Sequence, residues 1–186
     1  MHRLIVTVAN LKIVFHNPAE RRDGFYDSAP LVHAALRTHV AGLMTNKLPS
    51  AVLFACTLNA IRSPMAAAIM HHHFGHKIYV ASCGIAAGDP DPFVSMIMDE
   101  IGIDLKKHRP HSFEDLEDSA FDLLITLSPE AKNRADDMSR TMAIEVENWQ
   151  VDDPSTTQGS REQILDAYRA VRDDLAKKIA ERFRVF

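Results

Sequence analysis

The apolar run Ala51-Val52-Leu53-Phe54-Ala55 passes directly into Cys56-Thr57-Leu58-Asn59-Ala60-Ile61-Arg62-Ser63-Pro64. The first five residues read as a short buried strand. Pro64 marks a helix start, where its missing amide costs nothing. Between them lies a tight loop opened by a cysteine and closed by an arginine. A loop feeding a helix N-terminus turns several backbone N–H groups toward one point. Together with the helix dipole they bind an anion. Strand, loop and helix in this order belong to a parallel sheet, whose ligand sites lie at the carboxyl ends of the strands.

The remainder of the chain continues the alternation. The pattern predicts helices over 63–73, 91–101 (closed by Gly102), 129–138 and 161–183. Strands are expected over 77–82 and 122–127, with a fourth inside 142–149. The terminal helix puts Ile164, Ala167, Tyr168, Val171, Leu175 and Ile179 on one face. The expected fold class is α/β: a three-layer sandwich with a central parallel four-stranded sheet, helices on both faces, and the anion loop after the first core strand.

Residues 1–48 read differently, as an N-terminal extension ahead of a domain over 49–186. Residues 4–15 fit either a strand or a short amphipathic piece. Val32, Leu36, Val40 and Leu43 give helical spacing over 31–44, and 47–50 reads as a linker. This segment carries no recognisable chemistry, and one reading makes Met44 the start of translation.

Bulk properties narrow the function. A formal net charge of -4 over 186 residues does not suit a nucleic-acid binder. No apolar run is long enough to span a membrane, and Asn10, Lys12 and His16 interrupt the apolar start as a leader would not. Two cysteines make no disulfide framework, so a reducing, cytoplasmic location is expected.

The loop residues suggest specific roles. The field that binds an anion also stabilises a thiolate, making Cys56 a candidate nucleophile. Arg62 offers a bidentate fork to two oxygens of a tetrahedral oxyanion. Ser63 can donate to the sulfur. Thr57, Leu58, Asn59, Ala60 and Ile61 supply the lining. Phosphate-ester cleavage also needs a proton donor. Trp149-Gln150-Val151-Asp152-Asp153-Pro154 follows the fourth strand and reaches the same sheet edge. Asp153 precedes a proline, which restricts it to an extended backbone and favours it over Asp152. His71, His72, His73 and His76 read as a polar helix end rather than metal ligands, and the Lys106–Arg109 run as a solvated loop. The methionines, Met65 and Met70 among them, read as core filler.

From about Pro49 onward the chain resembles the low-molecular-weight protein tyrosine phosphatase family, which includes related arsenate reductases. The resemblance rests on Val52 to Cys56 with Asn59, Arg62, Ser63 and Pro64, then Val80-Ala81-Ser82-Cys83-Gly84. It continues through Gly102-Ile103-Asp104, His108, 121–127 and Asp153-Pro154. It implies that Cys56 forms a cysteinyl-phosphate, Arg62 clamps the phosphoryl oxygens, Asn59 props the loop with a left-handed backbone, Ser63 steadies the thiolate and Asp153 is the general acid. No metal and no cofactor are implied. The implied substrate is a phosphorylated protein or a small phosphate ester.

Three positions depart from the family pattern. Leu58 stands where glycine is usual, Ala67 where glutamate is usual, and Ser155 and Thr156 where aromatic residues often flank a phosphotyrosine ring. They leave phosphate recognition better supported than tyrosine recognition. Two alternatives accompany the phosphomonoesterase reading. One is an arsenate reductase that uses the same loop with an external thiol, since Cys83 reads as a buried structural cysteine and no paired relay cysteines exist. The other is a non-catalytic anion-binding or interaction domain.

Overall fold

The computed structural model describes residues 5–8, 11–14, 48–117 and 120–183. The chain divides into two compact units, Met1–Asn46 and Lys47–Phe186. In the first, strands β1 (Ile5–Val8) and β2 (Leu11–Val14) pair antiparallel, with Ile5 opposite Val14. The sequence pattern offers a single strand or a short amphipathic piece over 4–15; two short strands paired with each other are found instead. The helix expected over 31–44 lies outside the described residues.

The second unit is built on β3 (Ala51–Cys56), α1 (Arg62–Phe74), β4 (Tyr79–Gly84), α2 (Pro92–Asp99), β5 (Leu123–Thr126), α3 (Pro129–Ser139), β6 (Glu145–Asn148) and α4 (Arg161–Arg182). A single turn of 3-10 helix, Pro154–Thr156, precedes α4. The four strands form a parallel sheet in the order β4-β3-β5-β6. All six β3 residues are buried, because a central parallel strand is covered on both faces.

Alternation along β3 divides the core. Val52, Phe54 and Cys56 face Met65, Ile69, Ile97, Tyr168, Leu175 and Ile179, so α1, α2 and α4 cover that side. Ala51, Leu53 and Ala55 face Cys83, Leu124, Ala131 and Ala135, so α3 covers the other. This is the expected three-layer α/β arrangement, with Cys56 ending the first core strand.

Boundaries differ from the sequence reading where local bonds compete with the ladder. Strand β4 begins at Tyr79, two residues later than expected, because the Lys77 and Ile78 amides still donate to the Phe74 carbonyl at the end of α1. It then runs on to Gly84, opposite Cys56. Asp91 is the N-cap of α2 rather than its first residue, and its carboxylate accepts from the Phe93 and Val94 amides. That helix ends at Asp99, and Gly102 (φ 77°) closes the following turn. Pro64 is the third residue of α1, still within the first turn, whose amides have no helical acceptor. On α4, Leu165 is buried where Ala167 was expected.

Candidate active site

The β3–α1 loop is shaped by main-chain bonds that turn its carbonyls outward. The amides of Ile85, Ala86 and Gly88 donate to the carbonyls of Cys56, Thr57 and Leu58 at 3.1, 3.1 and 2.9 Å. This continues the β3–β4 ladder beyond the sheet. Gly84 is required here, because a Cβ on it would lie 2.8 Å from the Asn59 nitrogen and 2.8 Å from the Leu58 carbonyl carbon.

Asn59 sits at the bend with φ 52°, the left-handed conformation that asparagine tolerates. Its side chain is fully buried. Its Nδ2 donates to Ser63 Oγ at 2.9 Å and Ser82 Oγ at 3.0 Å, and its Oδ1 accepts from the His111 amide at 3.1 Å. Its carbonyl lies 2.8 Å from His108 Nε2. Only an N–H can satisfy that oxygen, so His108 carries its proton on Nε2. Burial pushes the His108 pKa below its ordinary 6.5.

Cys56 is 2% exposed, and its Sγ lies 3.0 Å from Ser63 Oγ. Ser63 Oγ is also 3.1 Å from the Cys83 carbonyl, so its one proton has two acceptors. With Cys56 ionised, the sulfur is the more demanding of the two.

Arg62 is 7% exposed. Its Nη1 donates to the carbonyls of Leu127 (3.1 Å) and Val151 (3.3 Å), fixing the plane of the guanidinium. Its Nη2 donates to Thr57 Oγ1 at 3.3 Å and Asp153 Oδ2 at 2.9 Å. Asp153 has the extended backbone expected before proline (φ -90°, ψ 110°). Its Oδ1 accepts from the Ser155 amide (3.0 Å) and hydroxyl (2.7 Å).

Cys56, Thr57, Leu58, Ala60, Ile61, Arg62, Asp153 and Ser155 line one cavity of about 50 Å³. Residues up to 99 positions apart thus meet round a space of oxyanion size. Asn59 and Ser63 do not line it; they hold the loop from behind. Asp152 lines a neighbouring cleft without reaching Arg62, which separates the two adjacent aspartates. A larger cavity, about 700 Å³, lies beside His71, His72 and His108 and does not include Cys56. Among the described residues no cluster of three or more His, Cys, Asp or Glu is placed to hold a metal ion.

Three participants escaped the sequence reading. Glu130, in the first turn of α3, accepts from Thr57 Oγ1 at 3.2 Å. Its own backbone amide and this hydroxyl hold its carboxyl below the usual range. Its signal was the Ser-Pro-Glu helix start after a strand at the same sheet edge. Gly84, quoted in the resemblance without this role, and Gly88 are spacers for the loop, and nothing in the immediate sequence of Gly88 marks it as such.

Cys83 is fully buried among the side chains on the face opposite Cys56. Burial raises its thiol well above the ordinary range. No helix among the described residues is long and apolar enough to cross a membrane.

The chain is similar to an arsenate reductase of Bacillus subtilis (strain 168), with 32% identity over 140 residues, covering 74% of this chain and 96% of that protein. Two solved structures share the fold. One is a low molecular weight protein tyrosine phosphatase from T. tengcongensis (26% identity, TM-score 0.59, 71% of this chain and 96% of that one). The other is an arsenate reductase in the phosphate-binding state (26% identity, TM-score 0.57, 72% and 96%). The model of the low molecular weight phosphotyrosine protein phosphatases matches residues 51–184, and that span holds both the cysteine–arginine loop and the aspartate facing it: the chain belongs to this family.

Proposed function

We propose that the protein is a cysteine-dependent phosphomonoesterase. One observation carries the reading: Cys56, Arg62 and Asp153 line the same oxyanion-sized cavity, with Arg62 Nη2 2.9 Å from Asp153 Oδ2. The Cys56 thiolate attacks phosphorus, and the S–P bond forms as the bond to the ester oxygen breaks. Asp153, entering protonated, gives its proton to the departing oxygen. Arg62 and the loop amides stabilise the charge spread over the equatorial oxygens. Water then attacks the cysteinyl-phosphate. Asp153, now a carboxylate, takes the proton, and the sulfur leaves as a thiolate that the Ser63 hydroxyl receives. The substrate is a phosphorylated protein or small phosphate ester, and two free cysteines favour a reducing, cytoplasmic setting.

The test is turnover of para-nitrophenyl phosphate by the wild-type chain, Cys56→Ser and Cys56→Ala. Activity only in the wild type is expected. Turnover surviving in Cys56→Ala overturns the reading. Tight phosphate binding without turnover would instead indicate an anion-binding domain.

A second reading is supported by the relatives named arsenate reductase. Cys56 would attack arsenate with loss of water; an external thiol would then attack the Cys56 sulfur, releasing arsenite as the mixed disulfide forms, and a second external thiol would free Cys56. Cys83 offers no relay from the opposite face, so a small thiol such as glutathione has to reach the loop directly. Arsenate-dependent oxidation of glutathione separates this reading from the first.

A further inference from the structure

The two carboxyl oxygens of Asp153 have different surroundings. Oδ1 accepts twice from one residue, from the Ser155 amide at 3.0 Å and from the Ser155 hydroxyl at 2.7 Å. Among the described residues Oδ2 accepts from Arg62 Nη2 alone, at 2.9 Å. A carboxyl oxygen that carries a proton is itself a donor. On Oδ1 that proton would meet two other donors, and the amide cannot turn away. On Oδ2 it meets one, on a residue that lines the anion cavity. The Ser155 hydroxyl is not needed to make the turn it stands in. The Ser155 amide already caps that turn, the Thr156 hydroxyl donates to the Asp153 carbonyl at 2.8 Å, and the Thr157 amide donates to the Pro154 carbonyl at 3.1 Å.

We infer that Ser155 is a positioning residue for the acid–base steps: by saturating Oδ1 it assigns the exchangeable proton of Asp153 to Oδ2, the oxygen bonded to Arg62. The inference rests on the phosphomonoesterase reading. In the first step Oδ2 gives its proton to the ester oxygen as the P–O bond breaks. The negative charge left on the carboxylate is met at Oδ1 by the two Ser155 donors. In the second step Oδ2 takes a proton from the attacking water as the S–P bond breaks. Ser155 itself neither gains nor loses a proton over the cycle. The serine that stands at 155 in place of an aromatic residue serves the acid instead of a ring.

The experiment compares kcat/KM for para-nitrophenyl phosphate and phenyl phosphate, read as phosphate release, in the wild type, Ser155→Ala and Ser155→Thr. The nitrophenolate departs with little help from an acid, whereas the phenolate depends on one. Ser155→Ala should slow phenyl phosphate roughly fivefold more than para-nitrophenyl phosphate, the order of one hydrogen bond. Ser155→Thr restores a hydroxyl and should return the ratio of the two rates toward the wild-type value. In an Asp153→Asn background, Ser155→Ala should leave the ratio where that background sets it, because no acid remains to be positioned. A hydroxyl that only shaped the loop, or only touched the phosphoryl group, would slow both esters by one factor, and an unchanged ratio in Ser155→Ala overturns the inference. The same shift of ratio with and without the Asp153 carboxyl also overturns it. Ser155→Gly removes the same hydroxyl and decides the matter should Ser155→Ala not fold. If the wild type releases phosphate from neither ester, the phosphomonoesterase reading fails and takes this inference with it. If it releases phosphate from both and the ratio stays fixed, only the inference fails.

Discussion

Removing the Asn59 amide would strip hydrogen bonds from Ser63, Ser82 and the His111 amide together, all in a buried setting. Asn59→Ala should destabilise the protein by about 2–4 kcal/mol in urea unfolding, because several buried polar groups lose partners. Asn59→Gly accepts the φ of 52° without strain and should recover about 1 kcal/mol of that loss. Equal losses in the two variants would count against strain at this residue. His108 gives a pH signature. Its folded pKa lies below the ordinary 6.5, so the unfolded chain takes up the proton first as pH falls. Its contribution to stability is therefore intact above about pH 6.5 and declines below it, until the folded-state pKa is passed. Unfolding midpoints at pH 7 and 5.5 should differ less in His108→Asn than in the wild type. Cys56, Arg62 and Asp153 were legible in the sequence because each has a chemical reason to stand beside a loop or a proline. Glu130 and Gly88 were not. Their roles arise from contacts across 73 and 30 positions, which local pattern does not encode.

Helices α2 and α4 are joined by a buried polar link. The Tyr168 hydroxyl donates to Asp91 Oδ2 at 2.8 Å, while Oδ1 of the same carboxylate caps α2. Tyr168→Phe should cost about 1 kcal/mol and Asp91→Ala about 2–3 kcal/mol, the latter losing a cap and orphaning a buried hydroxyl. The double variant should cost less than the sum, because once either partner is gone the link cannot be lost again. Strict additivity in denaturant titrations would show that the link contributes nothing. The alternation of strands and helices was readable because hydrophobic period distinguishes them. The start of β4 was not, since the end of α1 claims the Lys77 and Ile78 amides and only three-dimensional competition reveals it. On the terminal helix Tyr168, Val171, Leu175 and Ile179 face the core as expected, but Ala167 does not. Leu165 turns into the core, while Ala167 lines a cleft beside the Asp153 loop.

At the scale of the whole molecule, the sheet stands between the two cysteines. Peroxide treatment should convert the Cys56 thiolate to a sulfenic acid, with hydroxide leaving, and no internal disulfide should follow. Mass spectrometry of the treated native protein should show oxygen addition at Cys56. A Cys56–Cys83 crosslink would contradict the placement on opposite faces. Cys83→Ala should leave the rate of inactivation unchanged. The separation of the chain into units at residues 46 and 47 leads to another expectation: a chain beginning at Lys47 folds cooperatively and turns over para-nitrophenyl phosphate as the full chain does. Inactivity of that fragment would assign the first unit a part in the site's assembly.

The outward-turned carbonyls of the β3–α1 loop have a wider consequence. In a planar trans peptide the N–H points opposite to the C=O, so tying the carbonyls of Cys56, Thr57, Leu58 and Asn59 to outside donors commits the amides of the following residues to the inner side. Recognition of the oxyanion is thereby written into the main chain. Side chains that take no part in holding the loop, such as those of Ala60 and Ile61, are left free to drift without erasing it, whereas Asn59 is not. A family built this way can change what it acts on by altering its rim while its grip on the central atom persists. Its shared chemistry is then easier to inherit than its choice of substrate.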